Sequence, residues 1–247
     1  MGWLSPVLWP FLRVLAVFSV APVFSMRAIP MRVKIGLAFL VAVCAQAALP
    51  DQPVISVNGR EALGAVVQQV AVGVAVGFTA RLVFTALELA GEVIGLQMGL
   101  NFASFFDPAS GGQVSAVARF FGNTSMLLFI VMNGHLLLLM AVVKSFDRFP
   151  VDGNFLQALA QMRLYELGGS LFSSALWIAL PMIGLMLFVN LTLGIISRVA
   201  PQMNIYAVGF PVTLTVGLLG ITATLPLLEQ PMMRLLQQAM DLFGVRI

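Results

Sequence analysis

An all-α, membrane-associated fold built of helical hairpins with broken helices is the architecture this sequence predicts. Three observations predict it. The chain of 247 residues is 60% apolar and 9% charged, with a mean hydropathy of +1.00. A soluble domain carries about 25% charged residues, so too little polar surface is present to cover a body in water. Charges divide the chain into long apolar blocks, and in lipid only a backbone that satisfies its own hydrogen bonds is stable, which favours helices. The alternation of apolar and polar residues that barrel strands require is absent.

Taken in order, Val14 to Met26 is a short block, and Ile35 to Pro50 and Ala62 to Ala80 are free of charge. The start lacks the pattern of a secretory leader: no positive charge precedes Arg13, and Pro10, Pro22 and Pro30 punctuate the apolar run. Ala45-Gln46-Ala47 has the form of a cleavage site, but the basic residues before it, Arg27, Arg32 and Lys34, lie too far into the chain. The whole chain is therefore expected to be mature protein. Phe120 to Val143 holds 24 residues without a charge, about 36 Å as one helix and enough to cross a bilayer core. Leu167 to Ser197 and Val199 to Leu228 are longer, and proline interrupts each.

Hydropathy alone gives about six spans. The first blocks, however, fall near or below the roughly 20 residues that a span needs, and the last ones exceed it. Broken helices, or helices enclosed in a protein assembly, fit these lengths better. Arg27, Arg32 and Lys34 favour a cytoplasmic loop between the first two blocks. The weakly acidic stretch Asp51 to Glu61 then lies outside. From Lys144 to Glu166 the charges balance and orientation is silent. No low-complexity tract, long linker or fixed-period repeat is present.

Composition also excludes chemistry. The net charge of +3 comes from scattered residues, so no basic run points to nucleic acid. Cys44 is the single cysteine and His135 the single histidine. No internal disulfide, cysteine-based zinc site or imidazole cluster can be built from them. The H-E-x-x-H, G-x-S-x-G, P-loop and C-x-x-C motifs are missing. Ser173 and Ser174 have only His135 as an imidazole partner. Neither an enzyme nor a cofactor or metal is expected.

Arg81, Glu88 and Glu92 interrupt an apolar helical pattern. At 100° per residue the two glutamates fall about 20° to either side of Arg81, so all three share one stripe. A charge at membrane depth costs at least about 2.5 to 3.5 kcal/mol unless it is paired or hydrated, so the stripe faces protein or water. It then serves either as an ion or proton relay, as a wet channel wall, or as a structural ion-pair network. Asn133-Gly134-His135 sits near the middle of the block Phe120 to Val143. There glycine allows close helix approach, and Asn and His can hydrogen-bond across it. Gly73-Gly77 and Gly91-Gly95-Gly99 repeat the four-residue spacing of tight helix packing.

The stretch Gly95 to Gln113, GLQMGLNFASFFDPASGGQ, breaks the apolar pattern. Asp107-Pro108 favours a turn, and Gly111-Gly112 is conformationally permissive. Such a loop is tolerated at membrane depth only inside protein or beside water. Phe105 and Phe106 then either form an apolar constriction that resists water and ions or pack in the core beside a plain helix-ending turn.

GLQMGLNFASFFDPAS resembles the central signature of the FliR family of flagellar biosynthesis, whose virulence relatives are export-gate proteins of type III secretion. FIVMNGHLLLL, KSFDRFPV and GIISRVAPQMNIYAVGFP resemble the family's next segments, in the same order and spacing. Together they cover most of the chain from about Leu89 to Pro211. The resemblance implies an export-gate subunit that joins FliP and FliQ in a pseudo-symmetric helical ring, with FlhA, FlhB and a soluble ATPase as further partners. It implies a FliP-like part at 1–166 and a FliQ-like hairpin and tail at 167–247, the hairpin turning at Arg198, Pro201 and Gln202. It also implies that the loop from Phe105 to about Val117 plugs the closed pore, with Phe105, Phe106, Asp107, Pro108, Gly111 and Gly112 as its working residues. Unfolded flagellar subunits would cross the bacterial inner membrane through that pore at the flagellar basal body. Two other classes stand beside this reading. A secondary transporter of a small solute could use Arg81, Glu88 and Glu92, but should show internal repeats. An intramembrane enzyme lacks a complete site.

Overall fold

In a computed structural model, residues 5–46, 62–100, 115–151, 166–202 and 204–245 are described. Among them every regular element is a helix. The order is α1 (Ser5–Val20), α2 (Met31–Gln46), α3 (Ala62–Gln97), α4 (Ala116–Val131), α5 (Gly134–Arg148), α6 (Glu166–Val199) and α7 (Ile205–Thr224), followed by a 3-10 turn (Leu225–Leu228) and α8 (Glu229–Asp241). The chain forms two compact units. The first is Met1–Val83, Phe129–Gly169 and Arg234–Ile247; the second is Phe84–Leu128 and Ser170–Met233.

Two early blocks become helices of 16 residues each, about 24 Å long and short of a span. Arg32 and Lys34, expected in a loop, stand instead in the first turn of α2. In the first unit α1 and α2 pack together, with Phe11 meeting Phe39 edge-on at 6.4 Å between ring centres. On α3, Gly73 and Gly77 lie against the α1 backbone. A Cβ at Gly77 would sit 3.0 Å from the Val17 carbonyl oxygen, and one at Gly73 would be 2.7 Å from Ala16 Cβ. The spacing noted in the sequence is thus a close α1–α3 crossing, which only a residue without a side chain permits. Trp9, Ala65, Phe146 and Val151 form a buried cluster beside it.

The charge-free block Ala62 to Ala80 is only the first half of α3. That helix runs through Arg81, Glu88 and Glu92 for 36 residues without a break, about 54 Å. The opposite happens in Phe120 to Val143, where the expected single helix is broken. Asn133 takes a left-handed backbone (φ 55°), and α4 and α5 diverge there by 71°. Asn tolerates this region better than other side chains. Gly134 then lets the Phe129 ring close on the backbone, since a Cβ would meet it at 2.5 Å.

The second unit has its own core, drawn from Ile94 of α3 and Met98 just past it, Phe121 of α4, Met182 and Met186 of α6 and Ile221 of α7. Three helical segments are long and apolar enough to cross a membrane: Ala62–Gln97, Leu167–Val199 and Ala207–Asp241, or four if the bent α4–α5 pair counts as one span. Among the described residues this is fewer than the six that hydropathy suggests. Within the most apolar window of each, 61% is buried in α3 but only 28% and 17% in the other two. α3 is enclosed by its own chain, whereas the other two present apolar surface that lipid or protein must cover.

Candidate functional site

Phe105, Phe106, Asp107, Pro108, Gly111 and Gly112 lie outside the described residues. Both flanks of that segment, 100 and 115, are described and belong to the second unit. On the entering side α3 ends in a Schellman motif. Gly99 has φ 78°, Leu100 N–H donates to the Gly95 carbonyl at 3.1 Å and Gly99 N–H to the Leu96 carbonyl at 3.0 Å. Glycine is the residue that takes this backbone without strain. Gly99 is therefore a helix terminator, not a packing glycine. Just before it, Met98 is fully buried. The Thr213 hydroxyl of α7 donates to the Met98 carbonyl at 3.4 Å. The Met98 side chain fills the space over Gly217, where a Cβ would come within 2.5 Å of its terminal methyl.

On the leaving side Ser115 caps α4, its hydroxyl accepting the Ala118 N–H at 3.1 Å. The Ser115 N–H in turn donates to the Glu92 carboxylate of α3 at 3.3 Å. An anion at a helix N-terminus also interacts favourably with the helix dipole. Ala116 and Val117, at the end of the segment expected to plug the pore, belong to α4.

Along α3, Arg81 and Glu88 are exposed and Glu92 is half-buried. The continuous helix keeps all three on one stripe, as the 100° step requires. Glu88 leans onto α4 at Gly122, where a Cβ would be 2.8 Å from its Oε1. Gly91, between the two glutamates, touches α4 so closely that a Cβ would sit 2.8 Å from Ala118 Cα. The two glutamates thus flank the α3–α4 contact, and Glu92 makes a structural hydrogen bond.

At the far end of α6, Arg198 stands in the last helical turn, where a cation suits the negative end of the dipole. Pro201 and Gln202 form the turn. Asn204 then caps α7, its side chain accepting the Ala207 N–H at 3.4 Å. α6 and α7 meet where Gly220 faces Met182 and Leu185, at 2.6 and 2.8 Å from a hypothetical Cβ.

Residues 4–239 match the family model described as "Bacterial export proteins, family 1". The chain belongs to this export-protein family. It is 43% identical to the flagellar biosynthetic protein FliR of Pectobacterium carotovorum over 98% of this chain and 93% of the relative. It is 44% identical to the FliR of Escherichia coli K12 over 92% and 87%, and 30% identical to that of Bacillus subtilis over 84% and 81%. The recognition of the FliR family from its ordered motifs is borne out by these matches. The family is one of bacterial export proteins, these relatives are named for flagellar biosynthesis, and the long apolar helices are consistent with a membrane protein.

One site in this export-family chain was not singled out from its sequence. Arg13 of α1 is completely buried. Its Nε donates to Gln69 Oε1 of α3 at 2.8 Å. Its terminal nitrogens donate to Ser145 Oγ of α5 at 2.9 Å and to the Phe149 carbonyl at 2.7 Å. The guanidinium plane sits 3.6 Å from the Phe146 ring centre, a cation–π contact. α1 is too short to be a span, and burial there lowers the Arg13 pKa to about 9, which leaves it charged at neutral pH. Beside it Gln68 donates to the Pro150 carbonyl at 3.1 Å. The signal was present in the sequence: a lone cation between Leu12 and Val14, and adjacent amides inside a charge-free block. Such polar groups must find one another when buried. Asn133-Gly134-His135 marks the bend between α4 and α5.

Proposed function

We propose that this export-family chain is a pore-forming subunit of the flagellar type III protein export gate in the bacterial inner membrane. In this reading it assembles with FliP and FliQ, and with FlhB and FlhA beside them, at the flagellar basal body. Residues 1–166 take the FliP-like role and 167–247 the FliQ-like one. Unfolded flagellar subunits pass through the assembled pore, and the segment around Phe105 to Gly112 seals it at rest. The chain carries no catalytic role.

The observation that carries this reading is near-full-length similarity to proteins named for flagellar biosynthesis, at 43–44% identity. The anchoring of both flanks supports the plug. Thr213 and Gly217 hold the chain at Met98, and Glu92 holds it at Ser115. Such fixed ends limit where the segment between them can reach. Apolar rings there would exclude water and ions. Ion conductance of the complex assembled with FliP and FliQ tests it. Deleting Phe105 to Gly112 should raise the leak while assembly is kept; unchanged conductance in a correctly assembled complex would falsify the plug.

A further inference from the structure

Between α2 and α5, both in the first unit, runs an open groove of about 390 Å³. Its origin is local. α2 turns Ala38, Ala42 and Ala45 inward, and α5 turns Leu138, Ala141, Val142, Ser145 and Phe146 inward. Cys44 and Ala45 give the groove a shallow floor, Leu40 of α2 and Leu136 and Met140 of α5 give it walls, and Lys144 lines one end. From Leu136 to Lys144 is eight helical residues, about 12 Å. Leu40, Leu136 and Met140 are 60%, 51% and 50% exposed, so the walls are not covered by the described chain.

The pattern selects an occupant. Every lining group is apolar except Lys144. A volume of this size belongs to small-ligand sites and accepts a hydrocarbon chain. Among the described residues Lys144 Nζ pairs with Asp147 of the next turn at 3.6 Å, with both side chains at least half exposed. An exposed pair of this kind is weak, so the ammonium is available to a stronger anion. An apolar trough with one cation at its end matches an amphiphile with a single anionic head.

We propose that this groove binds one acyl chain of an anionic phospholipid, with the phosphate at Lys144. The test uses the full chain in nanodiscs that contain phosphatidylglycerol or phosphatidylcholine, each with a diazirine on the acyl chain. Cross-links should map to residues 40–45 and 136–144. The anionic lipid should be favoured by about fivefold, the contribution of one lysine near a headgroup. Lys144→Gln, an exposed change that leaves the packing alone, should bring the two lipids to equal labelling. Cys44→Trp should block the groove and remove the adducts. Cys44 is the only thiol, so its alkylation rate gives a second readout and should fall in phosphatidylglycerol. Equal labelling by both lipids, adducts that survive Cys44→Trp, or groove cross-links to another protein in the assembled complex would each overturn the proposal.

Discussion

Arg13 shows how a single side chain organises the first unit. Its guanidinium reaches α3, α5 and the residue after α5 at once. Hydrogen bonds to a charged group are worth about 1.5 to 3 kcal/mol each, and a buried acceptor left alone costs about 1 to 3. Arg13→Met keeps the apolar volume but abandons the acceptors. It should lower stability in detergent by about 3 kcal/mol, read as a shift in the unfolding midpoint. Arg13→Lys should not rescue it, because an ammonium cannot present the planar fork or stack on Phe146. Ser145→Ala removes one arm and should cost about 1.5 kcal/mol. The sequence placed Arg13 only as the first charge of the chain. Which acceptors it meets depends on residues 56, 132 and 136 positions away, a distance that local pattern does not cross.

The contact between α3 and α4 is set by size and charge together. Gly91 and Gly122 remove the bulk that would separate the helices, and Glu88 and Glu92 lie to either side. Gly91→Ala would place a methyl against the backbone of α4. It should cost about 1 to 3 kcal/mol, as overpacking does, and a disulfide engineered across the contact should form more slowly. Through the Ser115 contact Glu92→Gln should cost about 0.5 to 1 kcal/mol, since the amide oxygen can still accept from Ser115 but the charge on the α4 dipole is lost. If the stripe instead relays protons, secretion should fall much further than stability, and a paired assay of both separates the cases. The stripe itself was legible from the 100° step. The partner of Glu92 was not, because Ser115 is reached only after the chain has turned back.

Beyond Met186 the α6–α7 hairpin leaves the core of its unit. Phe188, Leu191, Ile195 and Val199 are 68%, 64%, 57% and 79% exposed. So much apolar surface is stable only when lipid or protein covers it. Gly194, in this stretch, has nothing within 4 Å of a hypothetical Cβ. Gly194→Ala should therefore stabilise the separate chain by up to about 1 kcal/mol through helix propensity. If partner subunits of the proposed assembly cover the tip, the same change should reduce recovery of the complex with FliP and FliQ. Equal recovery of variant and parent would mean that lipid covers it.

By itself the sequence determined the all-helical, membrane-associated class and the family. Composition, periodicity and ordered motifs carry these, and each is a property of residues close in the chain. Only the tertiary structure decided that Ala62 to Gln97 is one helix while Phe120 to Val143 is two. The difference follows from what surrounds them. α3 has neighbours that accept its glycines and glutamates, whereas Asn133 and Gly134 give way to the Phe129 ring. The Arg13 cluster and the groove above Cys44 have the same origin. Both are made by side chains that meet only after folding, and burial, not order along the chain, selects them.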